Sequence, residues 1–121
     1  MIGIGIDAVE LDRFRRALER TPGLVGRVYT DDEAAYARRR RDPTERFAAR
    51  FAAKEAVMKA MGVGLWRVAF REIEVVRAPS GQPTVRLTGR AASRADALGV
   101  TRWHLTITHT ERSAHAVAVA E

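Results

Sequence analysis

The segment that most constrains the fold spans residues 46–62 and reads RFAARFAAKEAVMKAMG. Alanine, arginine, lysine, glutamate and methionine dominate it, and glycine and proline are absent until Gly62, so its composition favours a helix throughout. Phe47, Phe51, Met58 and the small alanines give this helix an apolar side. The segment therefore predicts one long helix whose apolar side packs against the rest of the chain.

The same helix carries a carboxylate next to its apolar side. Glu55 lies one turn after Phe51, where a carboxylate is costly unless a cation or a metal neutralises it. Lys59 lies one turn further on, and Arg50 and Lys54 are also one turn apart. This arrangement suits a divalent metal together with a phosphorylated ligand. A solvated helix face with charge pairs one turn apart explains the same spacing, and the spacing alone leaves both explanations open.

Lysine usage favours a functional role for this helix. The chain has 21 lysine and arginine residues, of which only Lys54 and Lys59 are lysine. Lysine is a compact point charge on a flexible stem and arginine is a planar fork, so the two are not interchangeable. Both lysines on one short stretch of helix predict that this stretch requires lysine.

Alternating patterns predict the strands. Residues 2–7 alternate isoleucine with glycine, which puts Ile2, Ile4 and Ile6 on one face of a strand that ends at Asp7. The further segments predicted as strands are residues 71–78, 83–87, 103–108 and 113–120. Turns over residues 79–81 and 110–112 connect these segments into two hairpins.

Other segments predict helices, and together the elements define the fold class. We predict a helix over residues 10–20 and one over residues 31–39, where Thr30 and Glu33 form a capping box. Thr88 is the predicted cap of a helix over residues 89–98. Helices and strands are mixed and the hairpins lie late in the chain. We therefore predict a single α+β domain over residues 1–121, with a largely antiparallel sheet packed against the long helix.

The charge balance favours an anionic partner. The formal net charge is +6, which suits nucleic acid, an acidic protein or a phosphorylated small molecule. The basic residues are spread among acids and only residues 38–41 form a run, so we expect no nucleic-acid partner. A nucleic-acid-binding module that uses residues 13–20 and 38–41 is the alternative function.

What the chain lacks narrows its class further. It has no cysteine, which excludes disulfides, thiolate zinc sites and a cysteine nucleophile. No apolar run is long enough to span a bilayer, and the first residues lack the basic region of a signal peptide. We therefore expect a cytoplasmic protein without a membrane partner.

Candidate site residues lie at strand ends and on the long helix. Asp7 and His109 each end a predicted strand, and strand ends meet helix faces at the edge of a sheet, so Asp7 and Glu55 could converge. Two carboxylates suit Mg²⁺, which also coordinates water and the phosphates of a substrate. Lys59 and Arg50 could hold those phosphates. A turn aspartate and a surface histidine are the ordinary alternatives. From the residues alone, the interpretation stops at a small α+β protein with a candidate magnesium and phosphate site.

Three blocks of sequence resemble the holo-acyl-carrier-protein synthases, the short, single-domain 4'-phosphopantetheinyl transferases. They are GIGIDAVELDRF at residues 3–14, RFAARFAAKEAVMKAMG at 46–62 and HLTITHTERSAHAVAVAE at 104–121. A weaker block, IEVVRAPSGQPTVRL at residues 73–87, is similar to the hairpin of that family. One departure from the family pattern is that many members have serine where this chain has Thr106 and Thr108.

The resemblance implies an activity and a partner. The family transfers the phosphopantetheine arm of coenzyme A to a serine of an acyl carrier protein, requires Mg²⁺ and releases adenosine 3',5'-bisphosphate. The carrier serves fatty acid synthesis by default, or polyketide synthesis. By resemblance we expect a homotrimer with active sites at the subunit interfaces.

The resemblance also assigns roles to residues. Asp7 and Glu55 match the metal ligands, and Glu55 is the best candidate for the base that deprotonates the serine. Lys59 matches the phosphate contact and completes the expected catalytic set. The residues expected to hold other parts of coenzyme A are Arg50, His109 and Thr110, with Gly81 and Pro83 at the adenine end. The residues expected to face the carrier protein are Arg13, Arg16 and Arg20, which share one face of their helix.

Overall fold

The computed structural model describes residues 1–64 and 67–121. In chain order its elements are β1 (Gly3–Glu10), α1 (Leu11–Arg20), α2 (Leu24–Val28), α3 (Asp31–Ala37), α4 (Thr44–Met61), a 3-10 turn (Phe70–Glu72), β2 (Ile73–Arg77), β3 (Pro83–Leu87), α5 (Gly89–Leu98), β4 (Trp103–His109) and β5 (Ser113–Ala120).

Two antiparallel sheets confirm the predicted α+β class. The larger sheet has the strand order β1–β5–β4, and β2 pairs with β3 in a separate hairpin. The long helix α4 packs against β1 and β5 and is buried along most of its length. One part of the core lies between α4 and the three-stranded sheet, as the sequence predicts, and extends to β2 and α5. A second part lies between α4 and the helices α1, α2 and α3.

Small residues let α4 approach the sheet closely. A Cβ atom added at Gly3 would lie 1.9 Å from the carbonyl oxygen of Ala60, and one added at Gly5 would lie 1.9 Å from that of Ala56. Neither position has room for a side chain. Side chains alternate between the two faces of a strand, so the next residue on the face of Gly3 and Gly5 is Asp7. The glycines thus bring Asp7 up to α4.

The other face of the three-stranded sheet has an exposed apolar stripe on β1, whereas β4 contributes the polar residues His104 and Thr106 to this face. Ile4 is 59% exposed and Ile6 is 63% exposed, whereas isoleucine is usually buried. Their partners on β5 are Val119 and Val117, which lie on the same face. The predicted face of Ile2, Ile4 and Ile6 is confirmed, but it is directed away from α4.

Some boundaries differ from the predictions. β1 does not end at Asp7, because residues 8–10 continue to pair with residues 113–115 of β5. Asp7 therefore lies inside a strand. β2 begins at Ile73, since residues 70–72 form a 3-10 turn. The sequence did not predict α2, which is too short to show a helical period.

The two predicted helix caps have different outcomes. The capping box of Thr30 and Glu33 is confirmed, with both of its hydrogen bonds present. The predicted cap at Thr88 is wrong, since its side chain makes no capping hydrogen bond. Instead, the backbone N–H of Arg90 donates to Oε2 of Glu72 at 2.9 Å. Glu72 reaches α5 from the distant 3-10 turn, so the cap depends on tertiary structure.

Lys54, one of the two lysines of the stretch predicted to require lysine, lies in the core. Its side chain is 0% exposed, and its Nζ lies 2.8 Å from Oε1 of Glu33. Nζ also donates to the carbonyl oxygens of Phe70 and Ile73. Oε2 of Glu33 accepts from the backbone N–H of Val75 at 2.9 Å. The expectation of a solvated helix face is wrong here, because this buried pair joins α3, α4 and β2.

Candidate active site

The residues where β1 crosses α4 form a compact charged cluster. Nζ of Lys59 lies 3.2 Å from Oδ1 of Asp7 and donates to the carbonyl oxygen of Ile6 at 2.9 Å. The side chain of Asp7 is 18% exposed. Glu55 lies one helical turn before Lys59 and is partly buried. The structure therefore brings together the predicted trio of Asp7, Glu55 and Lys59.

Electrostatics couple the two carboxylates. Burial raises the pKa of Glu55 above its ordinary value, the negative charge of Asp7 raises it further, and Lys59 opposes both effects. Two neighbouring carboxylates repel each other, and a cation that binds between them stabilises both. The ammonium of Lys59 already acts as such a cation for Asp7.

The donor set fits a hydrated oxygen-seeking ion. Among residues 1–64 and 67–121, no group of three or more potential ligands from His, Asp and Glu is present. Two carboxylates are too few for a structural zinc or calcium site, which needs four or more protein ligands. They suit Mg²⁺, which commonly takes one or two carboxylates and fills its other positions with water and phosphate oxygens.

A cavity of about 680 Å³ collects most of the residues predicted to hold coenzyme A. Its lining includes Arg50, Gly81, Pro83 and His109 from the prediction. Nδ1 of His109 lies 3.3 Å from Oε2 of Glu45, which orients the ring at the end of β4. The cavity lies between α4, the β2–β3 turn and the end of β4.

Thr110 is not among the residues that line this cavity. Its Oγ1 accepts hydrogen bonds from the backbone N–H groups of Arg112 and Ser113, each at 3.1 Å. Its hydroxyl therefore stabilises the turn between β4 and β5. A direct role for this side chain toward coenzyme A stays a prediction.

Sequence reasoning missed four basic residues and one tyrosine of this cavity: Arg39, Arg40, Arg46, Arg77 and Tyr36. Arg46 could have been found, because it precedes Arg50 by one turn on the same helix. Arg39 and Arg40 belong to the basic run over residues 38–41, which was considered only for nucleic acid. No local signal marks Tyr36 or Arg77, since they come from α3 and β2.

A groove of about 790 Å³ runs along α1 and β1. Arg13, Arg16 and Arg20 line it, and all three are exposed. Arg15 lies outside this groove and pairs with Asp12 at 2.9 Å and with Asp42 at 3.0 Å. The three predicted arginines thus share one face of α1. The same groove is also lined by Ala8, which is next to Asp7 in the sequence.

The described part of the chain contains no helix with the length and apolarity to cross a bilayer.

Comparisons with known proteins agree with one family over the whole chain. Residues 3–120 match the model of the 4'-phosphopantetheinyl transferase superfamily. A holo-[acyl-carrier-protein] synthase from Streptomyces avermitilis is 47% identical, and the match covers 100% of this chain and 98% of that protein. The crystal structure of the synthase from Neisseria meningitidis has a TM-score of 0.91 and 32% identity, covering 100% of this chain and 98% of that one. The Helicobacter pylori synthase in complex with coenzyme A has a TM-score of 0.86 and 27% identity, covering 98% and 99%.

Proposed function

This chain belongs to the 4'-phosphopantetheinyl transferase superfamily, and we propose that it transfers the phosphopantetheine arm of coenzyme A to a serine of an apo-acyl carrier protein. One observation supports this most strongly. Asp7, Glu55 and Lys59 meet where β1 crosses α4, in a chain that is similar to holo-[acyl-carrier-protein] synthases along its full length. The product released from coenzyme A would be adenosine 3',5'-bisphosphate.

Asp7 and Glu55 would hold Mg²⁺. The ammonium of Lys59 lies 3.2 Å from Oδ1 of Asp7 and also opposes the rise that burial causes in the pKa of Glu55, which supports a role for these carboxylates in holding a cation. When bound, the ion would supply Lewis-acid stabilisation of the charge on phosphate oxygens.

The residues of the chain account for the remaining chemistry. The carrier serine oxygen bonds to the phosphorus that bears the pantetheine arm, and the bond from that phosphorus to the bridging oxygen breaks. The bisphosphate leaves with the bridging oxygen. Glu55 takes the serine proton, and its raised pKa brings its basicity closer to neutrality. Lys59 neutralises charge on the phosphoryl oxygens, so positioning and cation stabilisation dominate the rate.

The nucleotide end of coenzyme A would occupy the cavity beside α4. Arg50, Gly81, Pro83 and His109 line that cavity together. Guanidinium groups suit phosphate, because they donate paired hydrogen bonds. Arg50 and Glu55 are five residues apart on α4 and therefore project from different sides of the helix, so in the proposed trimer one coenzyme A would bridge Glu55 of one subunit and the cavity of its neighbour.

The carrier protein would dock on the groove along α1. Carrier proteins are acidic, and Arg13, Arg16 and Arg20 present three exposed positive charges there. Such complementarity speeds encounter and fixes orientation. The groove includes Ala8 on the strand that carries Asp7, so a docked carrier would present its serine near the carboxylates.

The protein would act as a homotrimer with active sites at the subunit interfaces, in the cytoplasm. The exposed face of Ile2, Ile4 and Ile6 supports self-association, because a monomer would leave this apolar stripe in water. Light scattering tests the state directly. A mass near three chains supports the trimer, and a fully active monomer on dilution contradicts it.

The activity itself is tested by intact-mass measurement of an apo-acyl carrier protein after incubation with this chain, coenzyme A and Mg²⁺. A gain of one phosphopantetheine supports the proposal. An unmodified carrier, together with tight and strongly salt-dependent binding of random oligonucleotides, would support the nucleic-acid alternative instead.

A further inference from the structure

Tyr36 lies at the centre of a cluster of arginines. The guanidinium carbon lies 4.1 Å from the centroid of the Tyr36 ring for Arg46 and 4.3 Å for Arg50. The corresponding distances are 5.4 Å for Arg77 and 5.7 Å for Arg39. Arg39 follows the end of α3, Arg46 and Arg50 lie on α4, and Arg77 ends β2. One aromatic ring therefore gathers cations from three separate segments.

Tyr36 contacts the arginines in three ways. Its ring faces attract guanidinium groups through the ring quadrupole. Its backbone carbonyl oxygen accepts a hydrogen bond from Arg46 at 2.8 Å, and its hydroxyl accepts one from Arg77. Partial burial raises the pKa of the Tyr36 phenol, but the charges of Arg46, Arg77 and Arg50 outweigh it and lower the pKa below its ordinary value. The phenol thus experiences a strongly positive environment.

The cluster has capacity left for an anion. Arg50 is only 7% exposed, and within the described chain its Nε is buried without a hydrogen-bond partner. A buried donor of this kind is costly unless something satisfies it. Arg39, Arg46, Arg50 and Arg77 all line the cavity of about 680 Å³ that also contains His109. The guanidinium groups of this cluster repel one another, and an anionic ligand in the cavity would neutralise them.

The position of the cluster along α4 indicates which anion it would take. Arg50 and Arg46 precede Glu55 by five and nine residues, or about 140° and 180° around the helix axis, so they face away from Glu55 and line a cavity separate from Asp7, Glu55 and Lys59. Coenzyme A carries a diphosphate and a separate phosphate monoester on the ribose. The diphosphate is the reacting group and must lie at Asp7, Glu55 and Lys59. The monoester is therefore the anion that remains for the arginines.

We propose that Tyr36 is a positioning residue that holds Arg46, Arg50 and Arg77 in place for the ribose phosphate monoester of coenzyme A, an inference that rests on the proposed function. Tyr36 thereby sets the preference of the enzyme for coenzyme A over its dephosphorylated form. The ring orders Arg46 and Arg50, and the hydroxyl orders Arg77.

The test compares binding of adenosine 3',5'-bisphosphate and adenosine 5'-monophosphate by calorimetry. Tyr36→Leu should weaken bisphosphate binding by about tenfold or more, as for loss of a charge-assisted contact, and monophosphate binding by less than about threefold. Tyr36→Phe keeps the ring and should retain most of the preference. With coenzyme A as substrate, Tyr36→Leu should raise KM while kcat stays within about twofold.

Two controls separate positioning from general destabilisation. Phe70→Leu removes a partly buried ring that does not line the cavity, so it should leave the preference between the two nucleotides unchanged. If Tyr36→Leu fails to fold, Arg77→Met replaces it, and Arg38→Met is its charge-matched control outside the cavity.

The possible results are distinct. If folded Tyr36→Leu loses affinity equally for both nucleotides, or for neither, the inference is overturned. The proposed function stays intact in that case as long as the parent protein is active. If Tyr36→Leu does not fold and Arg77→Met is measured in its place, an unchanged preference for the bisphosphate over the monophosphate also overturns the inference. A parent protein that neither binds the bisphosphate nor modifies a carrier refutes the proposed function and, with it, this inference.

Discussion

Lys59 and Asp7 form an ion pair across the junction of α4 and β1, with Nζ of Lys59 3.2 Å from Oδ1 of Asp7. The same ammonium donates to the carbonyl oxygen of Ile6 at 2.9 Å. Lys59 therefore neutralises one of the two carboxylates proposed to hold the metal. A divalent ion at Asp7 competes with Lys59, whereas the phosphates of a bound substrate would attract Lys59 away from Asp7.

This competition predicts that Lys59→Met binds the metal more tightly in the absence of coenzyme A. The side chain of Lys59 is 53% exposed, so its ion pair is worth at most about 1 kcal/mol and the gain should be about two- to fivefold. Titration with Mn²⁺ followed by electron paramagnetic resonance measures it. Arg86→Met, which removes another exposed ion pair, with Glu74, should leave metal affinity unchanged. Unchanged or weaker affinity in Lys59→Met would contradict the competition.

The raised pKa of Glu55 predicts a pH-dependent stability difference. A carboxyl whose folded pKa lies above its unfolded value contributes stability below the unfolded pKa, and this stability is lost as pH rises through the folded pKa. In the presence of a chelator, Glu55→Gln should therefore have a higher Tm than the parent at about pH 7. The difference should shrink as pH falls through the raised pKa of Glu55 and reach its minimum below about 4.3, the ordinary pKa of glutamate. Thermal unfolding at several pH values checks this, and a constant difference would show that the charge of Glu55 is not responsible.

The two lysines should respond in opposite ways to substitution. Lys54→Met leaves Glu33 buried without its partner and removes the donor to the carbonyls of Phe70 and Ile73. Breaking a buried pair in this way costs about 3–5 kcal/mol of the free energy of unfolding. Lys59→Met should cost less than about 1 kcal/mol while it removes most activity. Chemical denaturation of both variants measures these losses of stability. Equal losses would refute a structural role for Lys54 and a catalytic role for Lys59.

The docking groove predicts an effect on one KM only. Arg13→Glu with Arg16→Glu should raise the KM for carrier protein by about tenfold or more, since attraction becomes repulsion at the interface. The KM for coenzyme A should change little. Arg15→Glu with Arg27→Glu changes the net charge equally outside the groove, and it should have a much smaller effect. A common rise in both KM values, or a carrier KM in the parent that salt leaves unchanged, would exclude this face.

Local patterns were sufficient for most of the architecture. The composition of residues 46–62 predicts α4 because a long run of helix-forming residues needs no tertiary information. The alternation around Ile4 and Ile6 predicts β1, and the spacing of Thr30 and Glu33 predicts the capping box. What the pattern of β1 could not show is that the glycine face, and not the isoleucine face, packs on α4.

The site was predictable only where its residues share one element or match a family motif. Glu55 and Lys59 follow from one helix, and Asp7 follows from the resemblance. The burial of Lys54 could not be predicted, since its partner Glu33 lies on another helix. The cluster around Tyr36 was also missed, because it forms only when α3, α4 and β2 come together. Cation–aromatic contacts between distant segments leave no periodic signal in a sequence.

The most direct test of the account is transfer to an apo-acyl carrier protein by the parent, Asp7→Asn and Glu55→Gln, read by intact mass. With coenzyme A and Mg²⁺, the parent should add one phosphopantetheine to the carrier. Each variant keeps its size but loses a carboxylate, and its rate should fall by about a hundredfold or more, which corresponds to about 3 kcal/mol or more in the barrier. Circular dichroism should show both variants folded. An unmodified carrier with the parent, or near-parental rates in either folded variant, would contradict the assignment of the active site to Asp7 and Glu55.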